Sequence, residues 1–548
     1  MITLRDYQTK TIESVFSEWT ENQSTIAVLP TGSGKTTIFS EIARRMQPKK
    51  SLILVHREEL LTQAKDRLKN QADLDFEVEK AEQKAIMSVY SHGVVASVQT
   101  LYSSEFARLK KFDPNDFGLV IADECHRYVA PNYRKVVDYF RSNEQLKILG
   151  VTATPDRADE EALGQIFQTV AFDYEILDAI HDGWLVPVDQ LMVNVEGLDF
   201  SDIKTTAGDL NMGELSDLME REQVMQGVAA ASINIIGTKR TLAFCSSVRH
   251  AEMLSEIFNR HRPGMSDWIC GATPKEDRKR KLAAFKSGEI QVICNCGILT
   301  EGYDCPEVEI IIQARPTKSR ALYAQIIGRS LRTLPGVVDN LLTPTERKTA
   351  ILQSLKPSAL IIDFVGNAGR HKLISSADIL GGNVSEDVIN RAVKKAKKEG
   401  KPLRMDQLLE EEQKAILKEI EERKQREAAA RARLIGKVRF STSKINPFDV
   451  FQIEPHRSRG WDAGKSLSEK QKGLMLKIGL NPDDFSYAQS RQILNEQFRR
   501  WNDNLCSLKQ AAWLKKNGYE TNIKMKEASA IMDSWAKNGW KRPSTNLI

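Results

Sequence analysis

The sequence has no run of about 18 apolar residues, so neither a membrane-spanning helix nor a membrane partner is expected. It has no CxxC pair either. Its seven cysteines are scattered at positions 125, 245, 270, 294, 296, 305 and 506, which argues against a zinc site and against a disulfide framework. Reduced thiols in a cytoplasmic setting are the simplest reading. The opening stretch from Met1 to Gln8 is charged and polar, without the apolar centre of a secretory leader. Aromatic residues make up only 7% of the chain, yet five of the eight tryptophans crowd into the tail: Trp461, Trp501, Trp513, Trp535 and Trp540.

What is present is ordinary in bulk and uneven in detail. A chain of 548 residues is too long for one core, so two to four domains are expected. Its 41% hydrophobic and 28% charged residues fit the globular class. Net charge is +6. From residue 436 onward, 20 Lys/Arg face 11 Asp/Glu, a balance of +9 that leaves −3 for the first 435 residues. A basic, tryptophan-rich tail suits nucleic acid, whose phosphates attract cations and whose bases stack on flat rings.

Short apolar runs alternate with longer polar, helix-like segments through the first 185 residues. Strands are predicted at 25–29, 52–55, 94–98, 119–122 and 148–151. The pattern recurs at 241–244, 268–269, 291–294, 310–313 and 359–364. Such alternation means βαβ units, hence two parallel sheets covered by helices. Residues 199–212 are polar and contain glycine, so an inter-lobe excursion is expected near 190–235. Charge dominates from about residue 385 to 434. Gly400-Lys401-Pro402 should break that segment, and Gln407–Leu434 should form one long helix. Its apolar positions are too sparse for a sustained coiled coil, so a solvated spacer is the favoured reading.

The tail contains an internal repeat. Ser468, Lys470, Gln471, Lys477, Gly479 and Ser490 recur as Ser507, Lys509, Gln510, Lys516, Gly518 and Ser529, each pair 39 residues apart. Each copy reads as helix, glycine turn, short linker and second helix. Trp501, Trp513 and Trp535 can be read as the core of this small module, at helical spacing with Leu505 and Ile531. They can equally be read as a nucleic-acid grip, with Lys541 and Arg542 flanking Trp540 as the exposed candidates. A protein-docking role for the module is the competing idea.

The strongest local signal runs from Leu29 to Thr36: Leu29, Pro30, Thr31, Gly32, Ser33, Gly34, Lys35, Thr36. It follows a predicted strand and opens a predicted helix, the setting a phosphate-binding loop needs. Glycines let backbone N–H groups turn toward phosphate oxygens. Lys35 supplies a point charge, and the Thr36 hydroxyl is offered to Mg²⁺. Leu29 stands where the strict pattern has glycine. A second signal, Asp123-Glu124-Cys125-His126, ends an apolar strand about 90 residues later. Asp123 can hold the metal and Glu124 can take a proton from an attacking water.

These two signals, with others in the same order over residues 4–370, resemble the superfamily-two helicases. Leu4 to Gln8 resembles the adenine-reading Q motif, with Gln8 on the base edge and Arg5 or Tyr7 near its face. Residues 29–36 match motif I, with Thr37 beside them. His56, Arg57 and Glu58 resemble motif Ia, and Ser97 to Thr100, including Gln99, the next strand-contact motif. Asp123 to His126 is motif II in its DECH form, and Thr152-Ala153-Thr154-Pro155 is motif III. In the second half, Ala243 to Ser246 resembles motif IV, Leu299 to Asp304 motif V and Gln325 to Arg332 motif VI. The stretch from Arg315 to Gln325 resembles the RadD-like and XPB-like branch, and phage-encoded helicases share the build. The cysteine-rich region of RadD-like proteins is missing here, so nothing specific to them is carried over.

The resemblance implies a fold and a division of labour. The fold class is α/β: two tandem RecA-like parallel-sheet lobes, then a long charged helix and a small all-α module. Expected boundaries are 1–185 for the ATP-binding lobe, 186–378 for the second lobe, 379–436 for the charged linker and 437–548 for the basic module. Lys35, Asp123, Glu124, Gln325, Arg329 and Arg332 should carry catalysis, with Gln325, Arg329 and Arg332 on one face of the motif VI helix. Arg5, Tyr7, Gln8, residues 30–37, Gly302 and Asp304 should hold the nucleotide. His126, Thr152 and Thr154 should couple it to the strand. His56, Arg57, Gln99, Thr100, Cys245, Ser246, Thr273, Thr300 and Glu301 should touch nucleic acid. ATP and Mg²⁺ are the implied cofactors, with Mg²⁺ on Thr36 and Asp123. The implied function is an ATP-dependent DNA helicase or translocase, acting as a monomer with 3′ to 5′ polarity. A duplex translocase or branch-remodelling motor, and an RNA helicase, remain alternatives. A non-catalytic scaffold is disfavoured because Lys35, Asp123, Glu124, Arg329 and Arg332 are all present.

Overall fold

A computed structural model of the chain describes residues 4–56, 58–153, 163–206, 208–300, 302–367, 372–381, 384–434, 446–456, 459–462 and 464–539. The chain divides into two compact units. The first comprises residues 1–382 and 389–412. The second comprises residues 383–388 and 413–548.

The first unit is built on two seven-stranded sheets. Lobe one contains β1 (Ser24–Val28), β2 (Lys50–Val55), β3 (Phe76–Glu79), β4 (Gly93–Ser97), β5 (Phe117–Ala122), β6 (Lys147–Thr152) and β7 (Thr169–Asp173). They lie in the order β3-β4-β2-β5-β6-β1-β7, and every pairing is parallel. The central strands are buried on both faces, which is why their sequences are continuous apolar runs. The edge strand β3 alternates apolar and acidic residues, and the sequence pattern did not reveal it. Its Glu79 is fully buried and held by Arg108 at 3.0 Å and Lys111 at 2.6 Å.

Lobe two repeats the plan with β8 (Val188–Asp199), β11 (Arg240–Cys245), β12 (Ser266–Ile269), β13 (Val292–Asn295), β14 (Val308–Ala314), β15 (Ala359–Asn367) and β16 (Leu403–Arg404). Their order is β12-β13-β11-β14-β15-β8-β16, with β9 (Thr205–Thr206) and β10 (Asp209–Leu210) forming a separate hairpin. The excursion expected near 190–235 is instead largely part of this lobe. β8 pairs in parallel with β15 along most of its length. The helix Glu222–Ile236 buries Val224, Met225 and Val228 in the lobe's core, and even Leu210, Leu215 and Met219 join it. A polar surface over a few inward apolar residues hid this from the sequence pattern.

The charged segment also begins inside lobe two. Helix Glu386–Glu399 stops at Gly400, where φ is +62°, and the next helix runs Met405–Leu434. Between them Leu403 and Arg404 extend the second sheet antiparallel to β8, and Arg404 bonds Asp189 at 2.9 Å. Farther along the long helix, Leu417 and Ile420 are exposed.

The second unit contains two successive helical hairpins. Ser468 and Ser507 each cap a helix, with Gln471 and Gln510 closing the capping box. Gly479 and Gly518 then take positive φ at the turn. The partner helices are Tyr487–Asn502 and Met525–Lys537. Met475, Ile493, Leu494, Leu508 and Leu514 form the core, and Trp513 packs against it. Trp501 does not: it is 41% exposed, edge-on to Phe498. Trp540, Lys541 and Arg542 lie outside the described residues. Among the described residues no helix is long and apolar enough to cross a membrane.

Candidate functional site

The turn after β1 becomes a loop because two of its residues adopt backbone angles that favour glycine. Gly32 has φ +92°, and Gly34, at φ +74°, caps the helix Lys35–Arg45. A Cβ on Gly34 would stand 2.7 Å from Gln8 Nε2, and one on Gly32 would stand 3.1 Å from Arg332 Nε. So the loop is approached from beneath by the N-terminal helix and from across the cleft by lobe two. Leu29, in place of the pattern's first glycine, is fully buried, and its N–H donates to the Thr152 carbonyl. Ser33 closes the turn by donating its hydroxyl to the Pro30 carbonyl at 2.8 Å.

The N-terminal helix braces this loop. The Tyr7 hydroxyl donates to the Ser33 carbonyl at 2.6 Å, and Gln8 Nε2 donates to the same oxygen at 3.0 Å. Gln8 Oε1 accepts the Arg5 N–H. Tyr7 is 2% exposed and stacks on Tyr174 at 4.9 Å. Of the two residues expected near the adenine face, Arg5 or Tyr7, the Tyr7 ring is packed under the loop against Tyr174. Arg5 lies over Trp184 at 4.4 Å.

At the end of β5 the acidic pair meets the loop. Glu124 sits at φ +48°, a strained angle for a residue with a Cβ, and its N–H bonds Asp123 Oδ1 at 3.0 Å. That turn aims Glu124 at Lys35, 3.6 Å away, and at His126, 3.5 Å away. Burial raises the Glu124 carboxyl, but Lys35, His126, Arg127 and Arg329 outweigh it and hold the group below the usual carboxylate range. Glu124 thus stays ionised. His126 Nδ1 lies 3.0 Å from Thr152 Oγ1, which joins motif II to β6. Thr154 lies outside the described residues.

Lobe two closes the cleft, whose volume is about 410 Å³. Thr31, Gly32, Gly34, Lys35, Thr36 and Thr37 line it, together with Asp123 and Glu124. Gly302, Asp304, Arg329 and Arg332 line it from the other side. The motif VI helix ends at Ile327, so Gln325, Arg329 and Arg332 do not share a helix face. Beyond it, the Leu331 carbonyl accepts the Val186 N–H and Arg332 bridges to Leu185, which draws the chain out of helical geometry. Gln325 is 5% exposed and does not line the cleft, a second correction. Arg329 donates to the Thr300 carbonyl at 2.6 Å and the Tyr303 carbonyl at 2.7 Å. Arg332 pairs with Asp304, and burial draws its guanidinium down to about 10, with Arg67 adding to the effect.

Arg67 escaped the sequence reading. It lines the cleft, donates to Thr36 Oγ1 at 3.4 Å and lies 3.9 Å from Asp304. It lies within a helix of mixed charge, beyond the stretch that resembles motif Ia, where no motif flags it.

The expected strand contacts divide. Gln99 Nε2 lies 2.7 Å from His56 Nδ1 and donates to the Tyr133 hydroxyl at 2.8 Å, so His56, Gln99 and the unforeseen Tyr133 form one cluster. Thr100, Thr300, Cys245 and Ser246 are buried, at 2–6% exposure. Cys245 ends β11 in the lobe's apolar core, and the Ser246 hydroxyl is taken by His250 at 3.0 Å. The Cys245 and Ser246 side chains are thereby corrected to structural roles. Thr273 accepts the Cys270 N–H within its own turn. Arg57 and Glu301 lie outside the described residues.

Known proteins match both lobes. Residues 1–157 match the family described as type III restriction enzyme, res subunit, and residues 226–333 match the helicase conserved C-terminal domain. IRC3 of Saccharomyces cerevisiae is 34% identical over 395 residues, covering 69% of this chain and 53% of that protein. The DNA 3′-5′ helicase XPB of Kineococcus radiotolerans is 25% identical, covering 60% of this chain and 57% of that one. The chain thus spans little more than half the length of these relatives. The type ISP restriction-modification enzyme LlaBIII, solved bound to DNA, aligns at TM-score 0.53 and 16% identity over 100% of this chain and 41% of its own, which speaks to the fold alone. By the matches on both lobes and by these relatives, the chain belongs to the superfamily-two helicases, with XPB among the proteins it resembles.

Proposed function

We propose that the protein is an ATP-driven nucleic-acid motor, a DNA helicase or translocase. The observation that carries this reading is Arg332 of lobe two lying against Gly32 of the phosphate loop, opposite the Lys35–Glu124 pair. Phosphates in the loop would meet charge from both lobes, so ATP binding would favour closure and hydrolysis would release it. Lys35 neutralises phosphate oxygens. Glu124, ionised and held by Lys35 and His126, accepts the proton of the attacking water. Arg332 and Arg329 stabilise charge on the transferred phosphoryl group. Arg329 must first trade a backbone carbonyl for phosphate, which also shifts the motif V loop it holds.

Mg²⁺ fits beside the loop. The Thr36 hydroxyl and the Asp123 carboxylate both line the cleft, and oxygen donors suit this hard cation. Among the described residues no cluster of three His, Cys, Asp or Glu forms a metal cage. Mg²⁺ bound there would neutralise phosphate charge.

His126 through Thr152, together with the His56–Gln99–Tyr133 cluster, supports coupling of the cleft to a strand. We place the protein in the cytoplasm, in keeping with its seven free cysteines, and read it as a monomer. The basic module of residues 437–548 is read as an auxiliary grip on the strand. ATPase rates with single-stranded DNA, duplex, branched DNA and RNA in turn test the whole reading. Stimulation by DNA supports it, and rates indifferent to all four polymers would overturn it. Unwinding of a forked duplex measured beside displacement of a triplex separates helicase from translocase.

A further inference from the structure

Lys356 is among the largest side chains buried outright in the protein, at 1% exposure. It lies between the helix Pro344–Gln353 and β15, outside every helicase motif. Its ammonium donates to the Pro306 carbonyl at 2.7 Å and to the Arg332 carbonyl at 2.8 Å. Pro306 stands two residues beyond Asp304. Arg332 is the residue whose guanidinium reaches Gly32 and pairs with Asp304. One buried cation therefore joins the backbones of the two loops whose side chains meet in the cleft.

The choice of residue has a cost. Burying an ammonium on neutral carbonyls loses more hydration than an apolar side chain of similar length would. Burial draws the Lys356 ammonium down to about 7, with Glu309, Cys305 and Glu307 opposing the fall and Arg332 adding to it. Methionine would fill the same space without that loss. It could not bridge two carbonyls from separate loops. The backbone of Arg332 is otherwise fixed from one side by Leu185 of the inter-lobe connection. Lys356 supplies a second hold through the Arg332 carbonyl.

We propose that Lys356 is a positioning residue of the nucleotide cleft, whose ammonium ties the motif V loop to Arg332 and sets the reach of the Arg332 guanidinium toward the phosphate loop. The proposal rests on the motor reading above. A guanidinium displaced by about 1 Å can lose ~10–100-fold in rate.

The test is the DNA-stimulated ATPase of the full chain carrying Lys356→Met. Expected is a kcat lower by ~10–100-fold with the KM for ATP unchanged. Lys356→Gln, which still donates hydrogen bonds, should recover part of the loss. In an Arg332→Ala background, Lys356→Met should add no further loss, since its effect passes through Arg332. An unchanged kcat, a change in KM alone, or a loss that adds in full to that of Arg332→Ala overturns the proposal. If Lys356→Met does not fold, Lys356→Gln in the same cycle gives the same decision. Wild type without ATPase activity overturns the motor reading and this proposal with it; active wild type with an unaffected variant overturns this proposal alone.

Discussion

The two lobes share a fold but hold their working charges differently. In lobe one the charged groups answer one another through side chains: Lys35 faces Glu124, and Glu124 faces His126. In lobe two the cations rest largely on backbone. Arg329 is held by the Thr300 and Tyr303 carbonyls, and Lys356 by those of Pro306 and Arg332. Side-chain pairs keep a site preorganised whatever its neighbour does. Carbonyl-held arginines can exchange one acceptor for another, which suits the lobe that must move. Lobe one is thus a fixed cradle, and lobe two a set of charges waiting for a better anion.

Four measurements bear on that contrast, beginning with the largest effect. Arg332→Ala should lower kcat by ~10³–10⁵-fold while the unfolding temperature holds, since its guanidinium meets only Asp304 and the cleft. Arg329→Ala should lower both, because it also anchors the motif V loop. Equal thermal stability of the two variants would erase the distinction between a reaching and an anchored arginine.

Next, Glu124→Gln should reduce turnover by ~10²–10⁴-fold while leaving ATP binding intact, as an amide cannot accept the proton. Turnover at the wild-type rate would remove Glu124 from its role and leave lobe one a cradle without a base.

A pH effect follows for lobe two. Burial pulls His250 down to about 4, below its unfolded value near 6.5. Between those values the unfolded chain binds a proton that the folded chain does not. The associated stability is present above about pH 6.5 and is lost as pH falls toward 4, by about 3 kcal/mol. Urea unfolding from pH 7 to 4 should show a steeper loss of stability in wild type than in His250→Asn, the difference being the His250 share, since the other titrating groups act alike in both.

The smallest effect concerns the brace beneath the loop. Tyr7→Phe removes one hydrogen bond to Ser33, whose carbonyl keeps the Gln8 amide. A loss of about 1 kcal/mol in stability is expected, with a modest rise in the KM for ATP. No change in either would mean that the Tyr7 hydroxyl does not tension the loop.

How much of this was legible varied with the kind of interaction. The phosphate loop and the acidic pair could be read because a glycine at a positive φ and an acid at a strand end are local demands. The repeat in the second unit could be read for the same reason: its capping boxes and turn glycines lie within a few residues of one another. β3, β7, β8 and β16 were missed. They are completed by distant partners, such as Glu79 with Arg108 and Arg404 with Asp189, which no window along the chain contains. Cys245 and Ser246 were misassigned because motif position does not say which way a side chain at a strand end points.

The sequence by itself determined the engine's parts: two α/β lobes, Lys35 and Thr36 where the phosphate loop opens into its helix, Glu124 on one strand end, arginines in motif VI. Each follows from local backbone chemistry and short spacing. Only the tertiary structure decided which of those parts meet. It buried Gln325 and Tyr7, brought Arg67 to Thr36, placed Arg332 against Gly32 and set Lys356 beneath both loops of lobe two. Those outcomes depend on how separate segments pack and on which carbonyls remain to be satisfied inside. Such balances are struck between residues far apart in the chain, where no local pattern records them.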